Sequence, residues 1–153
     1  MSARLTRVLP LPLAGAAIGV LVFEFLVYAW HRAMHKHHWL WRAFHQMHHS
    51  AESLDPWGAF YLHPLDTALF TTLSSLVLFP LLGLSPEAGA WAVALLTFLS
   101  VFQHTRVRTP TWLGYLIQRP ESHAIHHQRG VHAHNYADLP LWDLLFGTFR
   151  NGP

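Results

Sequence analysis

The chain has 153 residues, enough for one domain and too few for two, so we expect a single domain over residues 1–153. Hydrophobic residues make up 52% of it and charged residues only 12%, a balance typical of membrane proteins. A formal charge of +2 argues against a nucleic-acid partner, and the lack of cysteine excludes disulfides, thiolate metal sites and iron–sulfur clusters. One small domain leaves no room for a reductase, so any electrons must come from another protein.

Apolar runs predict three membrane-embedded helices. The first run, from Val8 to Trp30, has Glu24 as its only formal charge and is long enough to cross roughly 30 Å of hydrocarbon. The second and third lie between Leu65 and Phe102, separated by a Gly/Pro turn at Gly83 to Gly89 in which Ser85 is the expected helix cap. They predict a hairpin through the bilayer. Arms of about 16 to 18 residues also leave a re-entrant hairpin open.

The distribution of arginine and lysine predicts the orientation. Apart from Arg4 and Arg7, these residues lie in the two polar segments that flank the hairpin, and none lies at the hairpin tip. Cationic segments stay on the cytoplasmic side of a membrane. A single lysine among ten cationic residues hints at a GC-rich bacterial genome. We therefore expect an all-α, multi-pass protein of the bacterial inner membrane, with a cytoplasmic, histidine-rich helical cap.

Three histidine elements in the polar segments have the spacing of metal ligands. Positions i, i+3 and i+4 share one face of a helix, so each element presents its imidazoles on a single side. Imidazole suits Fe, Cu, Ni and Zn. The elements therefore predict a site for two metal ions, expected to be iron, with zinc able to replace it in a preparation. Their members are His31 and His35 in HRAMH, His45, His48 and His49 in HQMHH, and His123, His126 and His127 in HAIHH.

The remaining histidines are weaker candidates. His63 and His104 each adjoin an apolar run, where an ionisable group is costly and usually has a function. For both, metal ligation and a structural hydrogen bond are equally open. The other four follow no repeated spacing, and we interpret them as solvated or supporting residues; they are His37, His38, His132 and His134.

Several carboxyl and amide groups are candidates for orienting the imidazoles through their second ring nitrogen. Glu24 is one, because it shares a helix face with Tyr28 and His31; pairing with a neighbouring helix is an equally open interpretation. The others are Asp143, Asn135, Glu52 and Asp138.

In this order, the elements resemble the fatty acid hydroxylase and sterol desaturase superfamily of membrane di-iron oxygenases. The resemblance runs from about Glu24 to Arg150 and rests on YAWHRAMH, LWRAFHQMHHS, HPLD, FQHTRVRTP, RPESHAIHH and NYADLPLWDLLFGTFR. The last stretch is similar to the family's Asn-Tyr-Gly and Trp-Asp-x-x-Phe-Gly-Thr ending, with Ala137 replacing the glycine. His104 matches a further ligand of the fatty acid 2-hydroxylase branch, although Arg108 stands where that branch has its partner.

The resemblance implies two irons, held by the histidines of the three elements, that activate dioxygen and attack a C–H bond of a lipid. The expected function is hydroxylation or desaturation of an aliphatic lipid, such as a fatty acyl or sterol-like substrate, with electrons from an external ferredoxin- or cytochrome-type donor. The extra N-terminal membrane hairpin usual in longer members is not found in this sequence.

Three alternatives remain. A carotenoid hydroxylase would use the same chemistry, but is not expected to carry the WDLLFGT ending. A non-enzymatic membrane metal-binding or transport protein would hold its ligands within the spans, whereas nearly all of these histidines lie beyond them. A b-type cytochrome needs histidines deep in facing helices, and the apolar runs contain none.

Overall fold

The structure, a computed structural model, describes residues 12–153, and over that range the chain is helical with no strand. The predicted all-α class is confirmed. Short π and 3-10 turns connect or extend the α-helices. The helices are α1 (Pro12–Lys36), α2 (His38–Leu40), α3 (Pro64–Leu76), α4 (Pro86–Gln103), α5 (Pro120–His126) and α6 (Pro140–Leu145).

Within residues 12–153, two helical stretches are long and apolar enough to cross a membrane, Pro12–Lys36 and Pro64–Leu81. The first continues past Trp30, where the predicted span ended, and the start of that prediction at Val8 lies outside the described residues, as do Arg4 and Arg7. The second combines α3 with a π turn at Val77–Leu81. The predicted third membrane helix corresponds to α4, which is not among the two candidate spans, so a total of three stays a prediction.

The connection between α3 and α4 is the predicted turn with glycine and proline. Gly83 adopts a φ of 62°, a conformation that glycine takes without strain. Ser85 caps α4, because its hydroxyl oxygen accepts a hydrogen bond from the backbone N–H of Ala88 at 3.2 Å. Pro86 then occupies the first turn of α4, where its missing N–H costs nothing. The predicted cap is confirmed.

The core forms where α1 packs against the hairpin. Gly19 allows the close approach, since a Cβ added there would lie 2.9 Å from side-chain carbons of both Leu78 and Leu84. By contrast, the outward faces of α1, α3 and α4 expose large apolar side chains, as helices facing lipid do. Those exposed residues include Leu13, Leu21, Leu65, Leu76, Leu81, Trp91, Val93, Leu95 and Phe98.

The antiparallel hairpin returns the chain to the side from which it entered. The start of α3, the end of α4 and the end of α1 therefore lie together, and the two polar segments meet there as the sequence predicts. Contact between His48 and His104, whose Nε2 atoms are 3.2 Å apart, joins the segment before the hairpin to the segment after it.

Candidate metal centre

The histidines form two adjoining groups. Within each group, every residue offers one ring nitrogen that lies within 4.8 Å of those of all the other members. The first group contains His31, His35, His45, His49 and His126. The second group contains His48, His104, His123 and His127. All the histidines of the three predicted elements are present, together with His104, whereas His63 belongs to neither group.

The two elements with three histidines, HQMHH and HAIHH, are each divided between the groups. The expectation that the three imidazoles of such an element share a single side is therefore wrong. His45 and His49 belong to the first group and His48 to the second, whereas His123 and His127 belong to the second and His126 to the first. In a helix, positions i and i+4 differ by about 40° of rotation, but i+3 and i+4 differ by about 100°. In the helical HAIHH, the i+3 histidine His126 therefore points to the neighbouring group. His48 also belongs to the neighbouring group, although the backbone of HQMHH is not a regular helix, and the two elements interlock.

Local backbone departs from a regular α-helix around HQMHH. His45 ends a π turn at Trp41–His45, and His48–Ser50 forms a 3-10 turn. HAIHH is more regular, since His123 and His126 lie in α5 and His127 follows as its cap. Because π turns inside helices are commonly associated with functional sites, the irregular turn is consistent with a ligand-bearing segment.

The first group leaves five ring nitrogens without a partner. The Nε2 atoms of all five of its histidines are buried and make no hydrogen bond. A buried polar atom without a partner is uncommon and costs roughly 1–3 kcal/mol. Five such atoms converging on one point are the donor set that a metal cation would satisfy, since neutral imidazole is a borderline ligand suited to iron, copper, nickel and zinc.

The second group crowds its ring nitrogens instead. The Nε2 atom of His104 is 3.2 Å from that of His48 and 3.1 Å from that of His123, which in turn is 3.0 Å from Nε2 of His127. One neutral imidazole nitrogen can donate to only one neighbour, so the remaining lone pairs face one another. A cation among them would remove that repulsion. The residues of both groups thus fit a pair of metal ions.

Backbone carbonyls fix three of these rings by accepting a hydrogen bond from Nδ1. The proton is then held on Nδ1, and the lone pair of Nε2 points into the group, as ligation requires. The pairs are His31 with Tyr136 at 2.7 Å, His126 with His134 at 2.9 Å and His104 with Ser100 at 2.7 Å.

Asp66 orients a fourth ring, although it was not among the residues predicted to orient an imidazole. Its Oδ2 lies 3.2 Å from Nδ1 of His45, and its side chain is fully buried in the first turn of α3. A carboxylate in this position fixes the tautomer of the imidazole and raises its basicity as a ligand. The sequence did carry a signal, because the motif HPLD places an acidic residue at the start of an apolar run.

The carboxyl and amide groups expected to orient imidazoles directly instead hold the loop that does so. Asp143 accepts hydrogen bonds from the backbone N–H groups of Tyr136 at 2.9 Å and Ala137 at 3.0 Å. Asn135 has a φ of 56°, and its amide donates to the carbonyls of Ser122 and Arg150. Both thereby position the carbonyls that face the ring nitrogens.

Glu24, Asp138 and Glu52 also differ from the expectation. Glu24 is buried in α1 and accepts hydrogen bonds from the backbone N–H groups of Asp138 at 2.7 Å and Leu139 at 3.1 Å. Its partners are therefore backbone groups of the loop before α6, and neither an imidazole nor a neighbouring helix is bound by its carboxylate in the described hydrogen bonds. Asp138 accepts from the amide of Gln103, and Glu52 is exposed.

The remaining weaker candidates among the histidines lie outside both groups and differ in their contacts. Nδ1 of His63 accepts a hydrogen bond from the backbone N–H of Leu65 at 3.2 Å and caps α3. His132 supports the first group, because its Nδ1 lies 3.2 Å from Nδ1 of His35 and its ring packs on Trp41 at 4.3 Å. The backbone carbonyl of His134 accepts from His126, while His37 and His38 are exposed.

Burial keeps the imidazoles of the two histidine groups neutral. Desolvation lowers the pKa of His48 to about 3, and it lowers the pKa values of His123 and His126 well below the ordinary range. A neutral imidazole is the form that binds a metal. The groups are therefore ready for ligation at neutral pH without first releasing protons.

Arg119 anchors the segment that carries HAIHH, a role that no sequence motif indicated. Its guanidinium is 1% exposed and donates to the backbone carbonyls of Thr109 and Gly152 and to the side chain of Asn151. These bonds hold the start of α5 against two other loops. The position of His123, one turn later, depends on them.

Comparison with known proteins identifies relatives that act on lipids. The chain is 34% identical over 140 residues to an ornithine lipid hydroxylase, OlsE, from Rhizobium tropici, covering 89% of this chain and 42% of that protein. It is 28% identical over 134 residues to sphinganine C4-monooxygenase 1 from Arabidopsis thaliana, covering 85% of this chain and 52% of that protein. A cholesterol 25-hydroxylase-like protein from Danio rerio is 31% identical over 141 residues, covering 86% of this chain and 53% of that protein.

The chain thus spans about half the length of these curated relatives. No solved structure matches it. The family model for fatty acid hydroxylase matches residues 16–148, a range that includes every histidine of both groups. The resemblance seen in the sequence is confirmed, and the chain belongs to the fatty acid hydroxylase family.

Proposed function

We propose that this protein is a membrane oxygenase that uses O2, two metal ions and external electrons to hydroxylate or desaturate an aliphatic lipid. The observation that carries the proposal is the pair of adjoining histidine groups, with five unpartnered Nε2 atoms in one and crowded Nε2 atoms in the other. The proposed ligands are His31, His35, His45, His49 and His126 for one ion, and His48, His104, His123 and His127 for the other.

Two bound iron ions would supply the activation of O2 and the oxidation of an unactivated C–H bond. The chain's own residues hold the rings in place and keep water away. Asp66 and the carbonyls of His134 and Tyr136 fix the ring orientations, and Tyr136 is itself 3% exposed beside the first group. An all-imidazole shell leaves the metal cationic, which suits redox chemistry.

A cavity of about 420 Å³ supports a lipid as the substrate class. It reaches His127 of the second group, and apolar atoms of Leu54 and Val107 form part of its wall. Its lining also carries two arginines, Arg106 and Arg108, and two glutamates, Glu52 and Glu121, so its formal charges balance. The named relatives include an ornithine lipid hydroxylase and a sphinganine monooxygenase, which are also lipid enzymes by name.

A second cavity, of about 520 Å³, reaches His35 of the first group. Lys36 and Arg42 line it, and among residues 12–153 no acidic residue does. We propose this face for the electron donor, a ferredoxin- or cytochrome-type protein with an acidic surface, because opposite charges steer such encounters. Trp41 lies between the cavity and the first group, 4.9 Å from the ring of His35.

For the membrane, we propose that α4 is embedded together with the two candidate spans. Its exposed Trp91, Leu95 and Phe98 support this, because large apolar side chains on one outer face suit lipid contact. The cationic residues of the cap support a cytoplasmic position in a bacterial inner membrane. Residues 1–153 are proposed to act as one domain.

The test is incorporation of oxygen from ¹⁸O2. Membranes containing the full chain, a ferredoxin and its reductase should place one ¹⁸O atom in a lipid hydroxyl group. His127→Ala should abolish labelling while the protein stays in the membrane, and His37→Ala, at an exposed histidine outside both groups, should not. Should lipids be identical under air and anoxia while metal uptake depends on His48 and His126, a metal-handling protein would replace the oxygenase.

A further inference from the structure

His123 differs from the rings that are held by a carbonyl or carboxylate oxygen. Its Nδ1 lies 2.9 Å from Nε2 of Gln118, an amide nitrogen. An amide nitrogen can only donate, so Nδ1 of His123 is the acceptor and the ring proton is on Nε2. That proton faces the ring nitrogens of His104 and His127, which lie 3.1 and 3.0 Å away.

Gln118 belongs to a buried chain of hydrogen bonds that ends on a carboxylate. Its Nε2 also donates to Oε1 of Gln103 at 2.7 Å, and Nε2 of Gln103 donates to Oδ1 of Asp138 at 2.7 Å. The two glutamines are 5% and 4% exposed, so water does not compete for these groups. Within this chain, a negatively charged Asp138 sets the direction of both amides.

Metal ligation through Nε2 of His123 is incompatible with this direction of the hydrogen bonds from Gln118 and Gln103. The Nε2 lone pair is free only when the ring proton moves to Nδ1, and an Nδ1–H group needs an acceptor. Gln118 must then turn its amide and present its oxygen to His123, and the same oxygen faces Gln103, because one amide atom of Gln118 contacts both residues. The amide of Gln103 must turn as well, which places its oxygen against Asp138. Two oxygen atoms can share a hydrogen bond there only if the carboxyl group carries a proton.

We propose that metal binding at the second group reverses the Gln118–Gln103 hydrogen-bond chain and takes up one proton from solvent at Asp138. The proposal rests on the ligand set proposed above. Gln118 and Gln103 are then positioning residues that act through His123. The balance is one proton gained by the Asp138 carboxylate, while His123 keeps a single ring proton that moves from Nε2 to Nδ1. The reversal breaks the weak hydrogen bond, 3.3 Å long, that the Gln118 amide donates to the carbonyl of Asn135.

The surroundings of Asp138 favour that proton. Its backbone N–H is bound by the carboxylate of Glu24 on α1, its backbone carbonyl accepts from the N–H of Gln118, and Asp143 on α6 adds a further acidic group near Glu24. Burial raises the pKa of Asp138 to about 6. The carboxyl group is therefore poised to change protonation near neutral pH.

Zn²⁺ binding to the metal-free full chain in detergent micelles tests the proposal between pH 6.5 and 8.5. Uptake of one proton predicts that affinity at the second group falls about tenfold for each pH unit above the pKa of Asp138. In Asp138→Asn, the side-chain amide donates to Gln103 at every pH, so this slope should vanish while binding is retained. Glu87→Gln, at an exposed acid of the hairpin tip, should keep the slope of the unchanged protein.

Infrared difference spectra give a readout that does not depend on affinity. Zn²⁺ should produce the C=O band of a protonated carboxyl group in the unchanged protein and not in Asp138→Asn. Gln118→Leu should lose the second ion, and Gln118→Glu, which supplies an acceptor for Nδ1, should regain it. Equal pH slopes in the unchanged protein and Asp138→Asn, or no carboxyl band, would overturn the proposal. If no Zn²⁺ binds at any pH, the ligand set itself fails.

Discussion

Oδ2 of Asp66 lies 3.2 Å from Nδ1 of His45, which joins the first turn of α3 to the π turn at Trp41–His45. The contact spans the boundary between the hairpin and the histidine-rich cap. It makes the geometry of the first group depend on the position of a helix that contributes no ligand of its own.

Replacing this carboxylate should therefore weaken metal binding at the first group. Asp66→Ala leaves Nδ1 of His45 without an acceptor, and loss of such a partner typically costs 10- to 100-fold in metal affinity. Asp66→Asn retains an oxygen at the same place and should bind more tightly than Asp66→Ala. Metal affinity by competition with a chelator measures the difference. Equal affinity for Asp66→Ala and the unchanged protein would show that the contact has no such role.

Removing one proposed ligand from either group should remove the metal ion of that group and leave the other ion in place. His49→Ala belongs to the first group and His127→Ala to the second, so each should lose about one of two ions per chain, and the double variant should lose both. His37→Ala is the matched control, because His37 is exposed and lies in neither group. Elemental analysis of purified protein measures the ratio. Full loss from either single variant would indicate one shared site instead of two.

Introduced cysteines can establish the topology, since the chain has none of its own. Cysteines at Ser53 and Thr109 should react with a membrane-impermeant reagent from the cytoplasmic side, and one at Ser85 from the opposite side. Labelling is measured in intact cells and in inverted vesicles. Reaction of Ser85→Cys and Ser53→Cys from the same face would favour a re-entrant hairpin.

Gly19 should be intolerant of larger side chains. Its added Cβ would lie 2.9 Å from side-chain carbons of Leu78 and Leu84, so Gly19→Val forces these two buried side chains to shift and should cost about 1–3 kcal/mol of stability. Ala17→Val, at an exposed position of the same helix, is the control and should change little. Thermal unfolding in micelles compares the two. Similar unfolding temperatures for both variants would contradict the packing.

The metal-free protein should lose stability in acid. The pKa of His48 is about 3 in the folded chain and about 6.5 when unfolded, so below pH 6.5 the unfolded state binds more protons. The stability is fully present above pH 6.5 and is lost as the pH falls towards 3, at about 1 kcal/mol per pH unit for this group. Unfolding temperatures at pH 7.5, 6 and 5 should fall in that order. His48→Gln, which does not titrate, should show a smaller decrease.

The sequence predicts which histidines come together better than it predicts how they divide between the two groups. Periodic spacing is enough to select His45, His48 and His49 as members of the cluster, because the spacing is a local property of the chain. Assignment of His48 to the second group depends on a π turn and a 3-10 turn that local spacing does not specify. That His126 lies in the first group and His48 in the second depends on how the two segments pack against each other in the folded chain.

The supporting residues are harder to predict for the same reason. Asp66 and His45 are 21 positions apart, and their contact exists only because the hairpin returns α3 to the cap. Asp143 and Asn135 are recognisable in the sequence as important polar groups, but their partners are backbone atoms, which a sequence pattern does not display. The hairpin turn is predictable because Gly83 and Ser85 satisfy local requirements.

The bond between Glu24 and the backbone of Asp138 also has a consequence for biosynthesis. The two residues are 114 positions apart, so α1 leaves the ribosome long before the backbone groups that pair with its carboxylate are made. A charged residue at the centre of an inserting helix costs about 2.5–3.5 kcal/mol. The newly inserted helix therefore has an unpaired acidic group until Asp138 and Leu139 have been synthesised. The nascent chain should therefore be less stably inserted in the membrane than the folded protein. A stalled or shortened chain should be a preferred target for quality-control proteases.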